Sequence, residues 1–140
     1  MARVIVLLIA CIAVTFTAGC GSRGASSVTG SVSFAGQPVE EGALRFFPVE
    51  GTPGDGAGAT ISQGTYEIAR AARMVAGKYR VSITATRSTG RDIPNPEPMP
   101  GEPAMVSEVV QYIPEQYNTR TTLQVELGAG ENRKDFDLTP

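Results

Sequence analysis

The stretch AGKYRVSITAT (residues 76–86) alternates strictly between apolar and polar side chains. Tyr79, Val81, Ile83 and Ala85 fall on one side, and Arg80, Ser82, Thr84 and Thr86 on the other. A period of two puts these sets on opposite faces of a strand, whereas an amphipathic helix needs a period near 3.6. The same period extends outward in both directions. Val28, Gly30, Val32 and Phe34 alternate with Thr29, Ser31 and Ser33, and Ala35-Gly36-Gln37-Pro38 then reads as a tight turn. Leu44 and Phe46 oppose Ala43 and Arg45 before Pro48 ends the run, and the glycine-rich stretch from Glu50 to Gly58 reads as a loop. Ala59 and Ile61 lead to Gln63-Gly64, and Tyr66 and Ile68 return as the second arm of a hairpin. Downstream, Leu123, Val125 and Leu127 alternate with Gln124 and Glu126. After a turn from Gly128 to Asn132, Phe136 and Leu138 alternate with Asp135, Asp137 and Thr139.

About seven short strands, each apolar on one face, cannot bury themselves singly; two sheets packed face to face can. The expected class is therefore all-β, an Ig-like, seven-stranded antiparallel β-sandwich. No long helical period interrupts it. Between Ala104 and Gln111, Met105, Val109 and the following Tyr112 are spaced for one or two helical turns before Pro114.

The segment VTGSVSFAGQPVEEGALRFFP (residues 28–48) resembles the opening of carboxypeptidase regulatory-like domains. It shares a glycine-containing first strand, a G-x-P-V turn and an aromatic-Pro strand end. GTYEI (64–68), AGKYRVSITA (76–85), YIPEQYN (112–118) and DFDL (135–138) continue the likeness, in the order found in a group of small bacterial lipoproteins. The resemblance implies a transthyretin-like sandwich of about seven strands. It implies little about activity, because such domains are accessories beside a peptidase and this chain has no peptidase segment.

The amino terminus reads as an address. Residues 1–20, MARVIVLLIACIAVTFTAGC, pass from basic Arg3 through an apolar run to small residues and Cys20, the order of a secretory signal peptide. Thr17-Ala18-Gly19-Cys20 resembles the lipobox of bacterial lipoproteins, with Thr17 where leucine is usual. That likeness implies cleavage before Cys20 and acylation of its thiol and new amino terminus by palmitate-type chains. Two other readings stand beside it: a spanning helix, and an ordinary leader cut near Ala18. The 16 residues from Val4 to Gly19 would reach ~24 Å as a helix, short of a ~30 Å hydrocarbon core. The ordinary leader would leave Cys20 as a lone exported thiol. The expected organisation is a leader at 1–19, a lipidated cysteine and polar tether at 20–27, and one domain at 28–140 with a long Pro-rich insertion at 87–118. No aspartate follows Cys20. In two-membrane bacteria such an aspartate resembles an inner-membrane retention mark, so of the two expected destinations, cell membrane and outer membrane, its absence points to the outer.

Losing Arg3 leaves 11 basic against 14 acidic residues, a net of −3, which argues against nucleic acid as a partner. The chain has no histidine, so the commonest general base and metal ligand are missing, and Ser-His-Asp or Cys-His catalysis cannot be assembled. A non-catalytic module without a cofactor is expected, partnered by membrane lipid through Cys20 and by an envelope protein. An accessory subunit docking onto a separate hydrolase or transporter is the alternative.

Three features remain as candidate sites. Asp135 and Asp137 project to one strand face, where calcium would accept them; outward positions flanking Phe136 are the simpler reading. Lys78 and Asn132 are the pair that could form an isopeptide, or are two surface residues. The connection from Arg87 to Asn118, 32 residues, carries Pro94, Pro96, Pro98, Pro100 and Pro103. It reads as an extended, stiff interaction loop whose tail, Tyr112, Ile113 and Tyr117, docks back onto the core.

Overall fold

Two positive-φ pairs decide how the chain doubles back: Ala35 (φ 51°) with Gly36 (77°), and Gln63 (49°) with Gly64 (75°). These are the φ values of type I′ turns, whose twist matches that of the strands they join. In the computed structural model, which describes residues 24–70 and 74–140, eleven strands are present among the described residues. They are β1 (Ser26–Phe34), β2 (Gln37–Pro38), β3 (Glu41–Pro48), β4 (Ala57–Ser62), β5 (Thr65–Ile68), β6 (Gly77–Thr84), β7 (Thr86–Pro94), β8 (Met105–Gln111), β9 (Gln124–Leu127), β10 (Gly130–Arg133) and β11 (Phe136–Leu138).

The main ladder runs β10-β1-β5-β4-β3-β6-β9. Its corner is the β4–β5 hairpin, which shares a single register pair, Ser62↔Thr65, and then splays. The ladder therefore curls, and its two halves face each other as a sandwich. Phe46 on β3 reaches across to Tyr66 on β5 (ring centroids 6.4 Å apart) and Phe136 on β11 (6.5 Å). Val28, Val32, Leu44, Ile61, Ile68, Tyr79, Val81, Ile83 and Ala85 fill the space between. These are the apolar sets that the period-two reading assigned to the inward face. β4 begins at Ala57, so two residues of the expected loop belong to a strand.

Pairing is antiparallel except along one flank of β1. There β10 and β11 run parallel to it in one unbroken register, from Ser26↔Gly130 to Phe34↔Leu138. Between them, Lys134 and Asp135 lie opposite Gly30 and Ser31. The Lys134 carbonyl bends in so closely over Gly30 that a Cβ there would sit 1.7 Å from its oxygen. The buried Tyr66 hydroxyl donates to the same carbonyl at 2.8 Å. Burial raises the Tyr66 phenol above its ordinary value, and the Asp135 charge adds to the rise. Where the ladder loses a backbone acceptor, the Asp135 carboxylate replaces it, accepting Ser31 N–H and Ser31 Oγ at 2.8 Å each.

The expected connection from Arg87 to Asn118 is not a single extended loop. Its first part is a second sheet, the β7–β8 hairpin, and the short helix expected from Ala104 to Gln111 is strand β8. Val106, Val109 and Val110 are β-branched and fit a pleated ladder better than a helix. The five prolines lie at or beyond the last register pair, Pro94↔Met105, where a missing N–H breaks no ladder bond. The tail docks as expected: Ile113 is buried, and Tyr112 and Tyr117 pack against the core.

Gly30→Ala should cost about 3 kcal/mol, because the methyl group must displace the Lys134 carbonyl from the β1 flank. Gly128→Ala, whose nearest neighbour would be 3.8 Å away, should stay within about 0.5 kcal/mol. Urea unfolding of the two variants measures the difference.

Candidate functional site

The β7–β8 hairpin is an arm. Nearly all of β7 is exposed, and in β8 only Val106 and Glu108 are half-buried. A two-stranded ribbon has little apolar burial to hold it, so its polar cross-links matter. The register shifts between Ser88 and Asp92, leaving Thr89, Gly90 and Arg91 opposite Glu108 alone. Gly90 takes φ 77°, and its neighbours turn back onto the Glu108 carboxylate. Oε2 accepts Thr89 Oγ at 2.6 Å and Arg91 Nε at 3.0 Å, while Arg91 Nη2 lies 2.8 Å from Oε1. These bonds, that of Thr89 foremost, hold the Glu108 carboxyl below its usual range.

The tip is closed by a turn from Met99 to Glu102, with Pro100 and Gly101 (φ 96°) at its centre and Glu102 N–H donating to the Met99 carbonyl at 3.0 Å. That is the sequence chemistry of a type II turn. Asn95 N–H donates to the Ala104 carbonyl at 2.8 Å, and the Asn95 side-chain oxygen accepts Glu97 N–H at 3.2 Å. All five tip prolines (Pro94, Pro96, Pro98, Pro100 and Pro103) are exposed.

At the base, the Gln111 side chain accepts Ala85 N–H at 3.0 Å, and Tyr112 N–H donates to the Ala85 carbonyl at 3.2 Å. Tyr112 meets Phe34 edge-on at 5.7 Å, and the Arg87 guanidinium lies 5.3 Å from the Tyr112 ring centroid. Between this base and the first turn runs a groove of about 800 Å³, lined by Phe34, Pro38, Glu40, Arg87, Val109 and Tyr112. Burial raises the Tyr112 phenol, with Arg87 opposing and Glu40 reinforcing the rise. A second depression of about 600 Å³ lies where β4 and β5 part, walled by hydroxyls of Thr29, Thr60 and Thr65 beside Glu67 and Arg133.

Exposed large apolar side chains concentrate on the arm: Met99 (68% exposed), Val109 (61%), Met105 and Val110. Cys20 and the leader lie outside the described residues. Asp135 and Asp137 do share one outer face, and both are engaged with β1: Asp135 with Ser31, and with Arg133 two residues before it, and Asp137 with Ser33 Oγ at 2.6 Å. No group of three metal-ligating side chains occurs among the described residues. Lys78 lies opposite Glu126 in the β6–β9 ladder, while the Asn132 amide bonds Ser27, Gly128 and Gly130 around the last turn. The two residues sit in separate ladders, and the Asn132 amide is already engaged by backbone carbonyls. No family model, curated protein or solved structure matches the chain.

Sequence reasoning located the arm by its prolines but missed the carboxylate that organises it. The available signal was the Ser-Thr-Gly-Arg run of residues 88–91, a bulge composition set among strand-forming residues.

Because the Glu108 carboxyl is held low, its contribution is complete above the ordinary value of 4.5 and is lost as pH falls through the lowered one. Amide exchange at Gly90 and Arg91, measured against β3 and β6 amides, should accelerate through that acid range. In Glu108→Gln the arm amides should already exchange fast at neutral pH and lose the transition.

Proposed function

We propose that this chain is an exported, lipid-anchored, non-catalytic β-sandwich of the carboxypeptidase regulatory-like kind, serving as a binding or structural module of the cell envelope. The β7–β8 arm is its docking element. The observation that carries this reading is the arm itself: four exposed apolar side chains on a ribbon whose outer edges pair with no other strand among the described residues. Free edges accept a further strand from a partner, and the apolar side chains beside them supply affinity. The leader, Cys20 and the polar residues after it supply the anchor in this reading.

An accessory subunit on an envelope hydrolase or transporter is the second reading, and the placing of the arm favours it. β1 starts where the tether joins the fold and ends against Tyr112 at the arm base. Nine strand residues hold these two points about 27 Å apart. Anchor and docking element are thus at opposite ends of the strands, free to engage different neighbours.

Cys20→Ala should move the protein from the membrane to the soluble fraction on cell fractionation; retention in the membrane would overturn the anchor. Replacing Met99 and Met105 by Ser, and Val109 and Val110 by Thr, should leave the thermal midpoint of the sandwich in place. The same variant should abolish crosslinking to envelope protein in solubilised membranes. A partner crosslinked equally by both forms would remove the arm from the function.

A further inference from the structure

Among the described residues, one exposed large apolar side chain is not on the arm. Phe47, 40% exposed, stands near the end of β3 on the outer face of the β4-β3-β6-β9 half. Its register partner is Arg80, with Lys78 two residues before it on β6 and Arg45 two residues before Phe47 on β3. Directly opposite and i, i+2 neighbours on one face lie about 5 to 7 Å apart and diagonal ones about 7 to 8 Å, so Arg80, Arg45 and Lys78 all flank Phe47 on this face. The Arg45 stem lies across the bare backbone of Gly58, where a Cβ would sit 3.3 Å from its Cγ. Ser82, Thr84 and Gln124 complete the surroundings; of the carboxylates on this side, Glu126 stands opposite Lys78, while Glu41 lies four residues before Arg45 on β3 and Glu50 in the turn after it. None of the three cations is in an ion pair among the described residues.

The opposite outer face has the reverse sign. There Glu67, Glu131, Asp135 and Asp137 stand around Arg133, which is itself bound to Asp135. An acidic protein has thus placed three cations, unpaired among the described residues, beside an exposed aromatic ring on one face. The path of the chain bears on the same place. The described residues begin at Gly24; Ala25 bridges Val75, and Ser26 N–H donates to the Met74 carbonyl at 2.9 Å. The tether therefore joins the fold three residues before Lys78. Three residues lie between Cys20 and Gly24, four Cα-to-Cα steps with a reach of at most ~14 Å.

We infer that the face formed by Arg45, Phe47, Lys78 and Arg80 rests on anionic lipid headgroups, as a second membrane contact beside the Cys20 anchor. This rests on the lipid-anchor reading above. The chemistry matches the surface: cations gain from a negative headgroup layer, and a single ring inserts at the headgroup level. Each cation within a Debye length of such a surface is worth about fivefold in partitioning, so the three together contribute on the order of a hundredfold.

The chain has no tryptophan, so Phe47→Trp places a unique reporter in the face. The full chain carrying that substitution, purified from host membranes, is mixed with phosphatidylcholine vesicles or with vesicles containing about 30% phosphatidylglycerol. Both preparations contain a headgroup nitroxide quencher, and flotation is scored alongside emission. The expected result is flotation with both, and quenching of the indole only where phosphatidylglycerol is present. Adding Arg45→Glu, Lys78→Glu and Arg80→Glu should abolish the quenching without abolishing flotation, and a Glu67→Trp reporter on the opposite face should stay unquenched. Flotation with both vesicles and no quenching overturns this contact and leaves the anchor standing. Equal quenching on both vesicle types overturns the electrostatic basis. Flotation and quenching with phosphatidylglycerol alone keeps the contact and overturns the anchor, and flotation with neither overturns both.

Discussion

The parallel contact between β1 and the carboxyl-terminal strands β10 and β11 holds the sandwich shut. The main ladder is open at both ends of its order, and its corner hairpin shares one register pair, so curling alone does not bring the two apolar faces together. The β1 flank supplies Phe136 and Leu138 to the core, opposite Phe46, and so covers the side that β5 leaves bare. Close approach is possible only because Gly30 presents no side chain to the Lys134 carbonyl. Tyr66 then ties that carbonyl from inside, and Asp135 repairs the ladder from outside. A buried hydroxyl with its partner made and an exposed carboxylate acting as a backbone acceptor are two answers to one kink.

The arm is held differently. The sandwich depends on apolar area, whereas the arm depends on a carboxylate that gathers a bulge, a closed proline–glycine tip, and a base pinned by Gln111 and Tyr112. A ribbon so built stays ordered while keeping its apolar side chains in water, a combination a core-packed strand pair cannot offer. Rigidity before contact lowers the ordering cost of binding.

The strand faces were legible because burial enforces alternation, and Tyr79, Val81, Ile83 and Ala85 are all buried as their spacing requires. The two type I′ turns were legible through Gly36 and Gly64. What was hidden depends on distant partners. The register of β1 against residues 130–138 leaves no local trace, since nothing near Gly30 signals a carbonyl from Lys134. The arm was misread because Met105, Val109 and Tyr112 mimic a helical stripe while neighbouring valines favour a strand. The face around Phe47 could not be seen either: Arg45, Lys78 and Arg80 each look like an ordinary outward residue until the β3–β6 register sets them side by side. The acylation proposed for Cys20, which lies outside the described residues, rests on sequence alone.

A protein is made from its amino terminus, and this topology turns that order into a delay. β1 is the first strand to appear, yet its parallel partner begins more than a hundred residues later, at Gly130. Hairpins such as β4–β5 can form as they emerge, but the seam that closes the sandwich waits for residues 130–138. Until then Val28, Val32 and the uncovered edge of β1 stand open to any passing strand, so the nascent chain is exposed to mispairing over the roughly one hundred residues that separate β1 from its parallel partners.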